Sequence, residues 1–417
     1  TGLLTGALAA ICGLTGAGMA LASPEGYAPQ RRLFPMNVSA NMLTAVQRTA
    51  QVRNYFSTSA GFRHHASSTR HDSVPEVYVL VIGETSRASD WQLCGYGRPT
   101  NPRLSRRNDV VFFGKTLSES NTTHKSVPLM MSHLSAAEFG DSIYRCRGVI
   151  DAFNEAGYHT VWASNQQRNG ALIDFFGSSA RECTFLCDSG HGHYDTDLCP
   201  ILSDALKEHP TEKIFAVLHT YGSHFNYADR VPTWFDAPFG RGNSTEATAS
   251  NRQALINAYD NTVAYTDAVL DSLISILEAS GRPTALLYTA DHGEDIFDDI
   301  RNRFLHASPT PTAEQLNVPM LVWMSEPYMT AHPEKAAACR ANRDRDISSS
   351  RSVFHTLLSL AGITAATYNP KEAVCEKKYQ EPPRVFLNDY NESQPLPEAG
   401  LKPIDLKKLE KRGISQE

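Results

Sequence analysis

The chain has 417 residues, of which 41% are hydrophobic and 20% charged, the make-up of a globular protein with room for one large domain or two ordinary ones. Its formal net charge of −6 argues against a general nucleic-acid binder, which would be basic. No repeat of solenoid or propeller period and no long low-complexity tract is present.

The first 22 residues, TGLLTGALAAICGLTGAGMALA, carry no charge and are long enough to cross a bilayer. Gly6, Gly13, Gly16 and Gly18 suit close helix packing in lipid. A signal peptide would need a basic start and a shorter apolar core, so residues 1–22 are expected to form a membrane helix, with a buried soluble helix as the alternative. Residues 23–74 read as a connector. Leu33–Phe56 has the pattern of an amphipathic helix lying at a membrane surface, and Ser57–Val74 is a polar linker.

From residue 75 onward, apolar runs of strand length alternate with helical patterns. Strands are expected at 76–83, 110–114, 159–164, 214–222, 284–290 and 318–325, and helices at 149–157, 251–280 and 352–362. Continuous apolar strands between helices imply an α/β/α sandwich on a largely parallel sheet, filling a domain over 75–395. Residues 396–417 read as a polar tail. Seven of the eight cysteines follow residue 90 without zinc-ribbon spacing, which favours an oxidising compartment with up to three disulfides, Cys339–Cys375 being a plausible one.

Ligands of parallel α/β sheets sit beyond the carboxyl ends of the strands. Three expected strands run directly into metal-competent side chains: Glu84, His224, and the pair Asp291 and His292. Asp and His after a strand ordinarily cap the next helix; together with Glu84 they suggest a metal, zinc ahead of manganese. NTTHKSVP (121–128) adds hydroxyls that need a metal or base to become nucleophiles. A helix starting just after Thr123 would turn its positive end to a phosphate, with Pro128 near that start. His124, His191, His193, His219 and His306 are, each taken alone, better explained as structural or surface residues.

GETSRASDWQLCGYGRPTNP (83–102), NTTHKSVPLMMS (121–132), LHTYGSHFNY (218–227), ADHGED (290–295), and FLHASP (304–309) with the VPMLVW that follows together resemble the phosphoethanolamine transferases of Gram-negative envelopes, including lipid A-modifying enzymes of polymyxin resistance. The resemblance implies an alkaline phosphatase/sulfatase-like fold, with zinc ligands at Glu84, Thr123, Asp291 and His292. The family's nucleophile lies five residues before the proline of its Ser-Val-Pro motif, which selects Thr123. The family's second histidine pair, which contacts the phosphoryl group or a further zinc, matches His224 and His306.

It also implies one or two Zn2+ ions, phosphatidylethanolamine as donor, an envelope glycolipid (lipid A or lipopolysaccharide core) as acceptor, and a monomer. The enzyme would sit in the bacterial inner membrane with its catalytic domain in the periplasm, residues 1–22 being the last of several membrane helices. Two departures stand out. Cysteines that bracket the nucleophile segment in many lipid A enzymes are absent, and the lysine expected after the 159–164 strand is replaced by NQQRNG (165–170), where Arg168 could take its part. A phosphoglycerol transferase is the nearest rival; a soluble phosphatase or sulfatase, and an inactive binding protein, are further ones.

Overall fold

The computed structural model describes residues 34, 36–70, 74–190, 192–241 and 246–416. The expected membrane segment, 1–22, lies outside the described residues, as does His191; among the described residues no helix is long and apolar enough to cross a membrane. The chain divides into two compact units at Thr58/Ser59.

In the first unit, helix α1 (Met36–Arg53) falls within the stretch Leu33–Phe56 expected to be helical. Its exposed Val38, Met42, Leu43 and Val46 recur at spacings that put them on one side of a helix.

The second unit is built on seven strands: β1 (Val77–Gly83), β2 (Val110–Phe112), β3 (His159–Ser164), β4 (Glu182–Phe185), β5 (Ile214–His219), β6 (Thr284–Ala290) and β7 (Met320–Met324). Their order is β2-β7-β6-β1-β5-β3-β4. The pairs β6–β1, β1–β5, β5–β3 and β3–β4 are parallel, and only β7 runs against its neighbours β6 and β2. β1, β3, β5, β6 and β7 are buried along their whole length, which is why they read as unbroken apolar runs rather than alternating ones.

Both faces of the sheet are covered. On one, Val77, Val79, Val81, Ala216 and Leu218 share a core with α5 (Leu198–Glu208) and α6 (Arg252–Ala279). On the other lie α2 (Thr123–Met131), α3 (Val149–Glu155), α4 (Leu172–Gly177) and α7 (Ser349–Leu360). Here Phe153 of α3 stacks on Phe215 of β5 with ring centroids 3.8 Å apart. Each fully buried aliphatic or aromatic side chain contributes about 1.5–3 kcal/mol, so this double cover makes the central strands the rigid part of the molecule.

Three expectations need correcting. Pro128 is the sixth residue of α2, not near its start, so it contributes no backbone hydrogen bond to the second turn. Among the described cysteines one disulfide forms, Cys339–Cys375, while Cys94, Cys146, Cys183, Cys187 and Cys199 are free. Residues 396–416 are not a loose tail: Leu396, Leu401, Leu409 and Ile414 are buried with Leu117, Leu316 and Phe386, and α8 (Pro403–Lys411) carries Asp405 into a fork with Arg301 at 2.6 and 2.8 Å. Most of the sparse apolar residues of this polar stretch face inward, Ile404 being exposed.

Candidate active site

The carboxyl ends of β1 and β6 lie side by side, with Gly83 paired to Ala290, so the next residues, Glu84 and Asp291, emerge together. Asp291 N donates to Gly83 O at 3.0 Å, continuing the ladder by one rung. Thr85 then takes a left-handed backbone (φ 55°), uncommon for a β-branched residue, which turns its N–H onto Asp291 Oδ1 at 3.0 Å. Its hydroxyl donates to Glu84 Oε1 at 2.6 Å. Two glycines permit the crowding. A Cβ on Gly293 would fall 2.2 Å from the Glu314 carbonyl, and one on Gly222 would fall 2.6 Å from that of Glu84.

Thr122 is the N-cap of α2 and Thr123 its first residue, which lifts the Thr123 hydroxyl over the sheet edge. Thr123 Oγ1 lies 3.3 and 3.4 Å from the two Glu84 oxygens and 3.1 Å from His292 Nε2. His292 Nδ1 lies 2.9 Å from Gly293 O; as the N–H donor to that carbonyl it leaves Nε2 as a lone-pair site. Glu84, Asp291 and His292 are all buried and offer ligand atoms within 4.8 Å of one another.

Electrostatics separates the roles. Burial lowers the His292 pKa to about 3, helped by His306, so its imidazole is neutral. Burial drives the Asp291 carboxyl well above its usual range, and the adjacent charge of Glu84 drives it further. Burial also opposes charge on Glu84, but His292, His224 and hydrogen bonds from Thr85 and Gln166 outweigh it and its pKa is lowered. Two apposed buried carboxylates, a neutral imidazole and a hydroxyl are the donor set of a divalent cation, and these residues fit one.

The other expected residues surround this group. The His306 ring centroid is 4.2 Å from that of His292 and 6.1 Å from that of His224. Burial lowers the His306 pKa, yet its 3.4 Å contact with the buried Glu294 raises it overall. His224 Nδ1 is 2.6 Å from Phe225 O. Thr123, His224, His306 and Arg168 all line a cleft of about 450 Å3 above Glu84. Arg168 stands at its edge, its Nε 2.8 Å from Asp188 and its guanidinium 4.0 Å above the Phe185 ring. His193 is held between Ser189 and Asp197, away from this cleft.

Sequence reasoning missed Gln166. Its Nε2 is 3.0 Å from Glu84 Oε2, 3.0 Å from His219 Nε2 and 2.9 Å from Thr220 O. Burial holds the His219 pKa down to about 4, so that ring accepts from the amide. The strand-end rule that selected Glu84 also covers Gln166, two residues past β3, but an amide is not a metal ligand and so drew no attention. The GETSRASD segment is mostly framework. Arg87, 3% exposed, pairs with Asp90 at 2.5 and 3.1 Å and with Asp298 at 2.7 Å.

The family model named Sulfatase matches residues 76–363. Phosphoethanolamine transferase EptA of Salmonella typhimurium is 32% identical over 308 residues, which cover 72% of this chain and 55% of that protein. The chain therefore spans little more than half the length of that curated relative. The periplasmic domain of EptC from Escherichia coli, solved in complex with Zn, superposes with a TM-score of 0.70 at 24% identity, covering 78% of this chain and 92% of that one. The soluble domain of lipooligosaccharide phosphoethanolamine transferase A from Neisseria meningitidis gives 0.67 at 25% identity, covering 75% and 95%. With the matched region running from β1 to beyond α7 and holding every residue of the cleft, the chain belongs to the sulfatase family and is similar, in sequence and fold, to its phosphoethanolamine transferases.

Proposed function

We propose that this protein is a zinc-dependent phosphoethanolamine transferase that moves phosphoethanolamine from phosphatidylethanolamine to an envelope glycolipid, lipid A or lipopolysaccharide core, through a covalent intermediate on Thr123. The observation that carries the reading is the Thr123 hydroxyl, within 3.4 Å of Glu84 and His292 at the mouth of the cleft. The names of the relatives supply the group transferred.

Glu84, Thr123, Asp291 and His292 would hold the ion, zinc ahead of manganese, as the zinc complex of the E. coli EptC domain suggests. Bound there, it would lower the pKa of the threonine hydroxyl and offset phosphoryl charge. In the first step Thr123 Oγ1 gives up its proton, for which Glu84 is the neighbouring acceptor, and bonds to phosphorus as the bond to diacylglycerol breaks. His306, anchored by Glu294, and His224 face the phosphoryl group; one returns a proton to the departing oxygen and both balance developing charge. In the second step an acceptor hydroxyl oxygen, its proton passing to the histidine that protonated diacylglycerol, or an acceptor phosphate oxygen bonds to phosphorus as the bond to Thr123 Oγ1 breaks, and Glu84 returns the proton to Thr123. The N-terminus of α2 adds a positive dipole end under the phosphate. Arg168, at the rim, would meet the acceptor.

Both substrates are lipids, which suits a monomeric catalytic unit in the periplasm, tethered to the inner membrane by residues 1–22 and the 23–74 connector. The test is incubation with phosphatidylethanolamine labelled in the headgroup, followed by mass spectrometry of the protein. An ethanolamine-phosphate adduct on the Thr123 peptide, absent from Thr123→Ala, is expected. Undiminished transfer by Thr123→Ala would overturn the assignment.

A further inference from the structure

A second cavity, of about 540 Å3, lies at the end strand of the sheet, β2, and shares no residue with the catalytic cleft. Three stretches far apart in the chain wall it: β2 with the turn that follows it, the helix Pro333–Ala341 with its exit turn, and the end of α8. Each brings cations. Lys115 comes from the first, Arg340 and Arg343 from the second, Lys411 and Arg412 from the third, and the wall carries one carboxylate, Asp344.

Two of the five cations are balanced. Arg412 Nη2 donates to both Glu314 oxygens at 3.0 and 3.1 Å, and its Nη1 to Asn317 Oδ1 at 3.0 Å. Arg343 pairs with Asp344 at 3.3 Å, both exposed. Arg340 donates to the sulfur of Met329 at 3.4 Å, which carries no charge, and neither Lys115 nor Lys411 has a carboxylate partner among the described residues. Three unbalanced cations thus gather at one cavity of a chain whose net charge is −6.

Free lysines on an open face move apart; here the fold holds their backbones together. Lys115 O accepts from Ile347 N and from Arg384 Nη2 at 3.1 Å each, and a Cβ on Gly413, just past α8, would fall 3.3 Å from Lys115 Nζ. The Cys339–Cys375 bridge ties down the residue before Arg340. Leu93, Val110 and Phe112 pack against the sheet core and supply an apolar part of the same wall. Charge of one sign around a concave, low-dielectric wall concentrates its field there, and a guanidinium offers paired N–H groups that match phosphoryl oxygens. Cys94, the thiol on the wall, has its pKa pushed up to about 12 by burial and stays protonated, so the cavity is read as a binding site and not a reactive one.

We infer that this cavity binds a phosphate-bearing ligand, its phosphoryl group met by Lys115, Arg340 and Lys411 and its uncharged part lying on Leu93, Val110 and Phe112. The ligand is a soluble phosphate ester or the headgroup of an anionic lipid, and the site stands whatever the chemistry at Thr123.

The experiment is calorimetric titration of the full chain, metal in place, with phenylphosphonate, which joins a phosphoryl anion to an apolar ring and resists hydrolysis. The catalytic cleft is also open to this probe, so the comparison with a charge-swapped protein decides. Arg340→Glu/Lys411→Glu changes two exposed side chains and should weaken one class of phenylphosphonate site by about tenfold or more, with phosphoethanolamine transfer and melting temperature kept. Lys115→Gln/Lys411→Gln, which introduces no acid, should weaken the same class. In wild type that class should weaken as salt is raised. Flotation with vesicles of phosphatidylcholine, with and without phosphatidic acid, separates the two sources. Binding to the acidic vesicles that falls in the charge-swapped protein supports a lipid headgroup; equal flotation of both proteins, with phenylphosphonate binding lost in the variant, supports a soluble ester. Phenylphosphonate affinity and stoichiometry unchanged from wild type in both variants would overturn the inference.

Discussion

The amide nitrogen of Gln166 stands 3.0 Å from Glu84 Oε2 and donates to a carboxylate that also faces the Thr123 hydroxyl. Gln166 is thus a positioning residue: it fixes which way Glu84 presents its oxygens. Gln166→Ala should lower metal affinity at the Glu84 centre by about 10–100-fold and be rescued in part by excess Zn2+, measured by zinc titration of transfer activity. Equal zinc dependence in variant and wild type would refute the role.

Thr123→Ala removes the hydroxyl without disturbing the core beneath it. Transfer should fall by roughly three orders of magnitude or more while circular dichroism and melting temperature stay near wild type. Thr123→Ser, which keeps an oxygen in place, should still form the adduct seen by mass spectrometry.

Removing metal leaves Glu84 and Asp291 facing each other in a buried space. Chelation should abolish transfer and lower the melting temperature, and Zn2+ should restore both; calorimetry before and after dialysis against a chelator measures this. Asp291→Asn should reduce the Zn2+-dependent part of the stability, because one of the two buried carboxylates is gone.

Arg87→Met should cost about 3–5 kcal/mol of stability, since Asp90 would be left buried with its ion-pair partner removed. Urea unfolding reads this directly. Loss of activity at temperatures where the variant remains folded would instead place Arg87 in the chemistry.

His64 supplies a pH dependence away from the active centre. Its Nδ1 lies 2.8 Å from Thr367 Oγ1 and its Nε2 3.1 Å from Gly148 O, partners that suit a neutral ring. Burial, then the neighbouring His133, lowers its pKa from 6.5 to about 4, against the opposing charge of Glu155. Below pH 6.5 the unfolded chain takes up a proton that the folded one refuses. Stability is therefore full above 6.5, falls as pH drops towards 4, and has lost about 3 kcal/mol below that. His64→Gln should flatten the unfolding free energy over this window, in a pH series of urea titrations.

Much of this is legible in the sequence. Strands buried on both faces leave continuous apolar runs, and the residues just past them mark the site's edge, so the positions of Glu84, Asp291 and His292 follow from the order of residues alone. The direction of β7 does not, because its residues would read the same in a parallel strand. β4 escapes notice: ECTF is four residues long and only partly buried, too short for a period to show. Gln166 acts through one amide hydrogen bond, which no composition announces. The Cys339–Cys375 bridge is anticipated; among the described residues it is one bridge out of the up to three allowed for, since separation along the chain does not tell whether two thiols meet.

Glu314 joins the last helix, α8, to the turn that carries His292. Its carbonyl lies against Gly293, the residue after His292, while its carboxylate is gripped by Lys408 and Arg412 at 3.0 Å each. Glu314 lies in a short helix, Ala313–Leu316, and Ala313 N of that helix donates to Asp405 at 3.3 Å. The floor under His292 is thus propped by a buttress more than a hundred residues downstream. A chain cut ahead of residue 396 would still contain every side chain of the cleft, yet would lack the strut that keeps one of them in register.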